Sequence, residues 1–164
     1  MGLQARLPFP LLGVDSDNDS VFINETLKRF CEMDQITFTR SRPYRKNDQC
    51  YVEQKNWSVV RKTIGYRLYE SSTALDLFRA IYADLRLYVN FFQPVLKLVH
   101  KERQGSKVYK RYDEAQTPHQ RIMASPNVST KDKLRLQHTY LQLNPAGLRR
   151  QIDASLMRLG RLTG

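Results

Sequence analysis

The sequence predicts an α/β fold at the start of the chain, followed by a helical C-terminal region. Residues 10–14 form a short apolar run, and residues 36–39 alternate apolar with polar side chains, so each segment predicts a strand. A helical pattern lies between the two, and a longer one begins at Ser72. The predicted order is strand, helix, strand, and then mainly helices.

The first predicted strand ends in a polar loop, Asp15-Ser-Asp-Asn-Asp-Ser20. Asn24 is suited to cap the helix that follows, since its side chain can accept a hydrogen bond from a free N–H of the first turn. That helix has one apolar face, formed by Leu27, Phe30 and Cys31. The second strand follows, and Pro43 ends it because proline cannot donate to a strand ladder.

Residues 51–66 contain no proline and only one late glycine, Gly65, which predicts a helix that we call the Glu53 helix. Its Trp57 could stack against DNA or pack in the core, and we expect the core, as for most aromatic residues on amphipathic helices. The clearest helix runs from Ser72 to Phe92, because positions 74, 78, 81, 85, 88 and 92 keep helical spacing and Pro94 follows. The core aromatics expected there are Tyr88, Phe91 and Phe92.

Residues 97–111 hold six Lys or Arg against one acid and lack periodicity, so they predict an exposed basic arm. Two further helices are predicted after Thr117-Pro118, one over residues 130–143 and one that Asn144 caps and Pro145 begins. The apolar face of the last helix consists of Leu148, Ile152 and Leu156.

The charge balance favours a polyanionic partner. Over 164 residues, 27 Lys and Arg face 16 Asp and Glu, a net charge of +11. Such a surface suits nucleic acid or an anionic membrane face. No apolar run approaches a membrane span and the first residues are unlike a signal peptide, so the sequence predicts a cytosolic protein without a membrane partner.

The cysteines and histidines show no metal-ligand spacing. We expect Cys31 and Cys50 to be reduced and packed inside, as free cysteines usually are. His100, His119 and His138 have charged or polar neighbours in sequence, which predicts solvated side chains.

Two carboxylates stand in settings suited to a metal. Asp17 follows a predicted strand, at the edge of the sheet where ligands usually bind in open α/β folds. Glu53 lies near the start of a helix, and thirty-five residues separate the two. Oxygen ligands are what Mg²⁺ prefers. Each acid alone also has an ordinary interpretation, Asp17 as a turn residue and Glu53 as a helix-start acid.

The sequence motifs around these two acids resemble those of a known family. They are Asp15-Ser-Asp-Asn-Asp-Ser-Val-Phe-Ile-Asn24 and Ser41-Arg-Pro-Tyr-Arg-Lys-Asn-Asp48, which leads to Val52-Glu-Gln-Lys-Asn-Trp57. With the spacing, they resemble the C-terminal part of the catalytic core of DDE transposases and integrases, among them insertion-sequence transposases. The likeness extends from about Arg6 to Met123.

The resemblance implies an RNase H-like core in which three acids hold two Mg²⁺ or Mn²⁺ ions for DNA cleavage and strand transfer. Asp17 and Glu53 correspond to the second and third acids. Residues 1–70 would then be part of that core, 71–125 a helical and basic extension, and 126–164 a helical tail. The expected contacts to the DNA backbone come from Arg40, Arg42, Arg45, Lys46, Lys55, Arg61 and Lys62.

The sequence departs from the family pattern at its start. Only sixteen residues precede Asp17, so the strand that carries the first acid is missing, and Asp15 lies on the same strand as Asp17 and not on its neighbour. Asp19 and Val21 also replace the usual Gly and the usual Glu or Gln. A truncated core leaves sheet edges unpaired, so we expect a marginal fold.

Two hypotheses follow. The first is a truncated transposase that binds element ends and target DNA and is inactive alone because the first carboxylate is missing. The alternative is a non-catalytic regulator of transposition that binds DNA, a second copy of itself or the full-length transposase. A chance likeness in a small basic nucleic-acid binder is a third possibility.

Overall fold

The structure is a computed structural model that describes residues 7, 9–16, 25–42, 53–54 and 56–162. The chain divides into two compact units, Met1–Arg67 and Leu68–Gly164. The predicted helical and basic extension (71–125) and the predicted helical tail (126–164) therefore belong to one unit. In the described part of the chain, no helix is long and apolar enough to cross a membrane.

The first unit is a mixed α/β arrangement. Strand β1 (Gly13–Ser16), helix α1 (Glu25–Met33) and strand β2 (Thr37–Arg40) follow one another. The two strands pair in parallel, as a crossover through a helix allows. The predicted order of strand, helix and strand is confirmed, and β1 lies a few residues later than the apolar run 10–14 that predicted it.

The end of α1 sets the start of β2. Gln35 has a positive φ of 53°, and the N–H of Ile36 donates to the carbonyl of Cys31 at 2.8 Å, the arrangement of a Schellman motif. Cys31 and Ile36 are both buried. The turn therefore anchors the small core of this unit, and the packed position predicted for Cys31 is confirmed. Cys50 and the predicted cap Asn24 lie outside the described residues.

The described part of the Glu53 helix is helical but irregular. Residues 53–54 are helical, Asn56–Arg61 form a π-helical turn, and Lys62–Ile64 form the short helix α2. The chain leaves it at Gly65, whose φ of 74° a glycine adopts without steric cost.

The second unit is built on two long helices, α3 (Ser72–Phe92) and α6 (Pro145–Arg161), which pack along each other. Their core consists of Ala74, Ile81, Phe91, Leu148, Ile152 and Leu159. The predicted bounds of α3 are confirmed. The predicted start of α6 is also confirmed, because Asn144 Oδ1 accepts from the N–H of Gly147 at 3.0 Å.

Two shorter helices complete this unit, besides the strand pair described below. Helix α4 (Pro118–Ala124) begins with a capping box between Thr117 and Gln120, and the sequence analysis did not predict it. Helix α5 (Thr130–Gln142) matches the helix predicted over 130–143. Tyr140 on α5 stacks on Phe91 and on His119, with ring centroids 6.3 and 4.9 Å apart.

The predicted exposure of the basic arm is confirmed, the arm has regular structure that the sequence did not predict, and the solvated position predicted for His119 is wrong. The basic arm is a β-hairpin of strands β3 (Leu98–Gln104) and β4 (Lys107–Tyr112), which pair antiparallel. Its strands lack the apolar-polar alternation of a half-buried strand, because every residue in both is exposed. His119 is 7% exposed, not solvated, because Phe91 and Tyr140 cover its ring.

Candidate functional site

The carboxyl ends of β1 and β2 define the candidate site. In the parallel register Ser16 lies opposite Arg40, so both strands leave the sheet at the same edge. Ser41 fixes that exit, since its N–H donates to the carbonyl of Ser16 at 3.0 Å and its hydroxyl donates to the same oxygen at 3.3 Å. Asp17 is the next residue after Ser16 in the chain and lies outside the described residues.

The side chain of Asp15 is hydrogen-bonded across the strand pair. The hydroxyl of Thr39, directly opposite in the register, donates to Asp15 Oδ1 at 2.8 Å. This hydrogen bond joins the two strands on their exposed side. The carboxylate of Asp15 is thus held by a side chain of β2.

Two predicted DNA-binding cations lie at this edge. Arg40 and Arg42 are exposed, and Ser41 between them is buried. This alternation matches the two-residue period of an extended chain, so both guanidinium groups project from the exposed side. Arg45 and Lys46, which continue the same basic segment, lie outside the described residues.

Two cations of the Glu53 helix lie over aromatic rings. Lys62 Nζ lies 4.1 Å from the centroid of the Trp57 ring, and Arg61 Cζ lies 4.8 Å from that of Tyr66. Trp57 and Lys62 are five residues apart, the spacing that the π-helical turn brings into line, whereas Tyr66 lies in the turn after α2. Glu53 is exposed, and Lys55 lies outside the described residues.

Trp57 is 53% exposed, so its predicted position in the core is wrong. The π-helical turn and the contact with Lys62 keep the indole at the surface. Such exposed cation–π contacts contribute about 0.5–1 kcal/mol. Arg61 and Lys62 therefore each lie beside a flat apolar ring, and such pairs of cation and ring occur in nucleic-acid interfaces.

The metal expectation concerns Asp17 and Glu53. Oxygen donors of this kind suit Mg²⁺ or Mn²⁺. Among the residues that the structure describes, no group of three or more His, Cys, Asp or Glu could hold a metal ion. Asp17 lies outside the described residues, so the pairing of Asp17 with Glu53 stays a prediction.

Sequence reasoning missed the form of the basic surface in the second unit. The cations of the hairpin were noted only as an arm, although a turn signal was present. Gly105 and Ser106 form a two-residue turn in which Gly105 has a φ of 62°. Glycine at the first central position is typical of a type II′ hairpin turn.

Comparison with known proteins assigns no activity. No family model and no solved structure matches the chain. The chain is similar to the uncharacterized protein y4rM of Sinorhizobium fredii (strain NBRC 101917 / NGR234), with 50% identity over 111 residues, 66% of this chain. The match covers 32% of the relative, so the chain spans about a third of the length of that protein.

Proposed function

We propose that this chain is the C-terminal part of a DDE transposase catalytic core, with its helical extension, and that it binds DNA. The observation that carries the proposal is the parallel strand pair, because both carboxyl ends leave one edge of the sheet. One end leads to Asp17 and the other to the basic residues Arg40 and Arg42. The strand–helix–strand order with a following helical segment is the order that the family resemblance implies.

The proposed roles follow from residue chemistry. Asp17 and Glu53 supply carboxylate oxygens for Mg²⁺ or Mn²⁺, and the bound ions supply the charge stabilisation that phosphoryl transfer needs. Arg40, Arg42, Arg61 and Lys62 contact phosphates of the DNA backbone, which gives affinity and salt dependence without base identity. Arg45, Lys46 and Lys55 belong to the same proposed set.

A DNA-binding measurement tests the proposed edge. We expect Arg40→Gln with Arg42→Gln to weaken binding to a 30-base-pair duplex and to lower the slope of log affinity against log salt by about 0.9 per lost phosphate contact. The matched control is Lys28→Gln with Arg29→Gln, which removes the same charge from α1, where both cations pair with glutamates. Equal losses in both double variants would contradict a phosphate site at this edge.

A second measurement tests the carboxylates. If Asp17 and Glu53 are metal ligands, Asp17→Asn and Glu53→Gln each weaken binding of Mn²⁺ to the chain, measured by electron paramagnetic resonance of the free ion. Asp76→Asn is the control, since Asp76 pairs with Arg79 on α3. Unchanged Mn²⁺ binding in both variants would count against a metal site formed by these acids.

The alternative function is a non-catalytic regulator that binds DNA or the transposase itself. The exposed basic hairpin favours it, because this surface lies in the second unit and uses neither Asp17 nor Glu53. Both functions predict no strand transfer by this chain alone. Strand transfer that Asp17→Ala abolishes would contradict both.

A further inference from the structure

The hairpin of β3 and β4 is a two-stranded ribbon with two unlike faces. Cross-strand pairing places Lys101, Arg103, Val108 and Lys110 on one side, which we call the Lys101 face, and the pair of Leu98 and Tyr112 continues this face beyond a register shift between Leu98 and His100. The other side, the Glu102 face, consists of His100, Glu102, Gln104, Lys107, Tyr109 and Arg111. Every residue of both strands is exposed, so neither face belongs to the protein core.

The two faces differ in charge. The Lys101 face has three cations and no acid. On the Glu102 face the carboxylate of Glu102 lies 3.5 Å from His100 Nε2 and accepts from Gln104 Nε2 at 2.9 Å. A polyanion would be repelled by Glu102 and attracted by the uniformly positive Lys101 face.

The Lys101 face contains an unfavourable pair. Lys101 and Lys110 lie directly opposite each other across the two strands. Like charges in that position destabilise a hairpin. Within residues 56–162, no carboxylate forms an ion pair with either lysine. Phosphates between or beside the two ammonium groups would remove this repulsion, so the pair favours an anionic occupant.

The size of the two-stranded hairpin determines which groove of duplex DNA can accommodate it. Seven residues at about 3.4 Å each make it roughly 23 Å long. The major groove of B-DNA, about 12 Å wide, admits a two-stranded ribbon, whereas the undeformed minor groove, about 6 Å wide, is too narrow for one. Val108 and Tyr112 stand beside the cations and offer apolar contacts that suit thymine methyl groups.

The base of the hairpin is held firmly. Arg121 on α4 donates to both carboxylate oxygens of Asp113, at 2.6 and 3.2 Å, and to the carbonyl of Val95 at 2.8 Å. Asp113 Oδ1 also accepts from the N–H of Lys97 at 2.6 Å. The ribbon is therefore oriented on its unit before any partner arrives, which lowers the ordering cost of binding.

We propose that the Lys101 face of the hairpin lies in the major groove of duplex DNA, with Lys101, Arg103 and Lys110 on the flanking phosphates. The inference rests on the proposed function, because it assumes that the chain binds DNA. It adds a second DNA-binding surface, which is the Lys101 face of the hairpin in the second unit.

The test compares two variants of equal charge in the full chain. Lys101→Gln with Lys110→Gln removes two cations from the Lys101 face, and Lys107→Gln with Arg111→Gln removes two from the Glu102 face. By anisotropy with a labelled 30-base-pair duplex, we expect the first to bind about tenfold more weakly at low salt and its salt slope to fall by about 1.8, the value for two phosphate contacts. We expect less than a twofold change from the second.

The outcomes separate this inference from the proposed function. Equal losses in the two variants would overturn the hairpin assignment while DNA binding by the chain stands. A wild-type chain without affinity for DNA would overturn both. Thermal unfolding checks the fold, since removal of the Lys101–Lys110 repulsion should leave the first variant at least as stable as wild type.

Groove occupancy is tested with modified duplexes. Glucosylated 5-hydroxymethylcytosine fills the major groove, and we expect it to weaken binding of the wild type and not to weaken the Lys101→Gln, Lys110→Gln variant further. Netropsin fills the minor groove of A·T-rich DNA and should leave binding unchanged. Displacement by netropsin, or tighter binding to the single strand than to the duplex, would overturn the proposal.

Discussion

His119 illustrates how two residues distant in sequence determine the setting of one side chain. Its neighbours along the chain are polar, yet its ring lies 5.0 Å from that of Phe91 and 4.9 Å from that of Tyr140. Its buried Nε2 has no hydrogen-bond partner among the described residues. Protonation would therefore place an unpaired charge in an apolar stack.

Stability should fall in acid because of His119. Burial lowers its pKa below the ordinary value of 6.5. Since the unfolded chain takes up the proton first, this contribution is fully present above pH 6.5 and is lost as pH falls through the lower folded-state pKa. We expect His119→Phe, which keeps the stacking, to lose less stability than wild type between pH 7.5 and 5 in urea unfolding. The exposed His138→Gln should retain the wild-type pH dependence, and an identical dependence in all three proteins would contradict this role.

Arg121 and Asp113 determine how the hairpin is held. The hydrogen bond from Arg121, together with that from the N–H of Lys97, lowers the pKa of Asp113 below its ordinary 3.8. The anchor is accordingly intact above pH 3.8 and weakens only as pH falls through the lower folded-state pKa. Acid near pH 5 should affect the His119 stack and leave this anchor in place.

We expect Arg121→Lys to loosen the hairpin without unfolding its unit, because lysine cannot reproduce the forked contact with both oxygens of Asp113. Amide hydrogen exchange should quicken over residues 98–112 and stay unchanged in α3 and α6. Arg79→Lys, which alters an exposed pair with Asp76, is the control. Unchanged exchange over the hairpin would show that Arg121 does not anchor it.

At the scale of elements, the success of sequence reasoning depended on whether a face is buried. Helix α3 and the start of α6 could be placed because they bury a stripe against each other and carry caps or a proline nearby. The hairpin could not, because both its faces are exposed and its register depends on cross-strand hydrogen bonds. Helix α4 is only seven residues long, too short for periodicity to distinguish.

The cap of α6 has a measurable effect. Asn144 accepts from the N–H of Gly147, and the helix it begins supplies Leu148, Ile152 and Leu159 to the core. We expect Asn144→Ala to lower the free energy of unfolding by about 1 kcal/mol, the usual loss for such a cap. Gln151→Ala, at an exposed position of the same helix, should change it by less than about 0.5 kcal/mol. Equal effects would rule out a specific contribution from the cap.

For the molecule as a whole, the candidate site was predicted from sequence motifs and spacing and stays a prediction, while the strand order that leads to it is observed. Parallel pairing of β1 and β2 follows from the short crossover helix, so the common exit edge was accessible to sequence reasoning. The ring contact of Lys62 with Trp57 was not, because it depends on a π-helical turn that the sequence pattern did not indicate. Asp17 remains known through its place in the chain alone.

The two units should unfold separately, because each has its own core. Among the residues that the structure describes, the first unit buries Cys31 and Ile36, and the second buries a larger set that includes Ile81, which is fully inaccessible to solvent. A smaller buried apolar area gives lower stability, so on the described residues we expect the first unit to unfold at lower urea concentration. Ile81→Ala should destabilise the second transition alone, by about 2–5 kcal/mol.

The converse substitution completes this prediction. Ile36→Ala should lower the first transition and leave the second in place. Circular dichroism follows both transitions, and Trp57 fluorescence reports on the first unit, which contains the only tryptophan of the chain. A single transition that both substitutions shift equally would show that the two cores unfold as one cooperative unit.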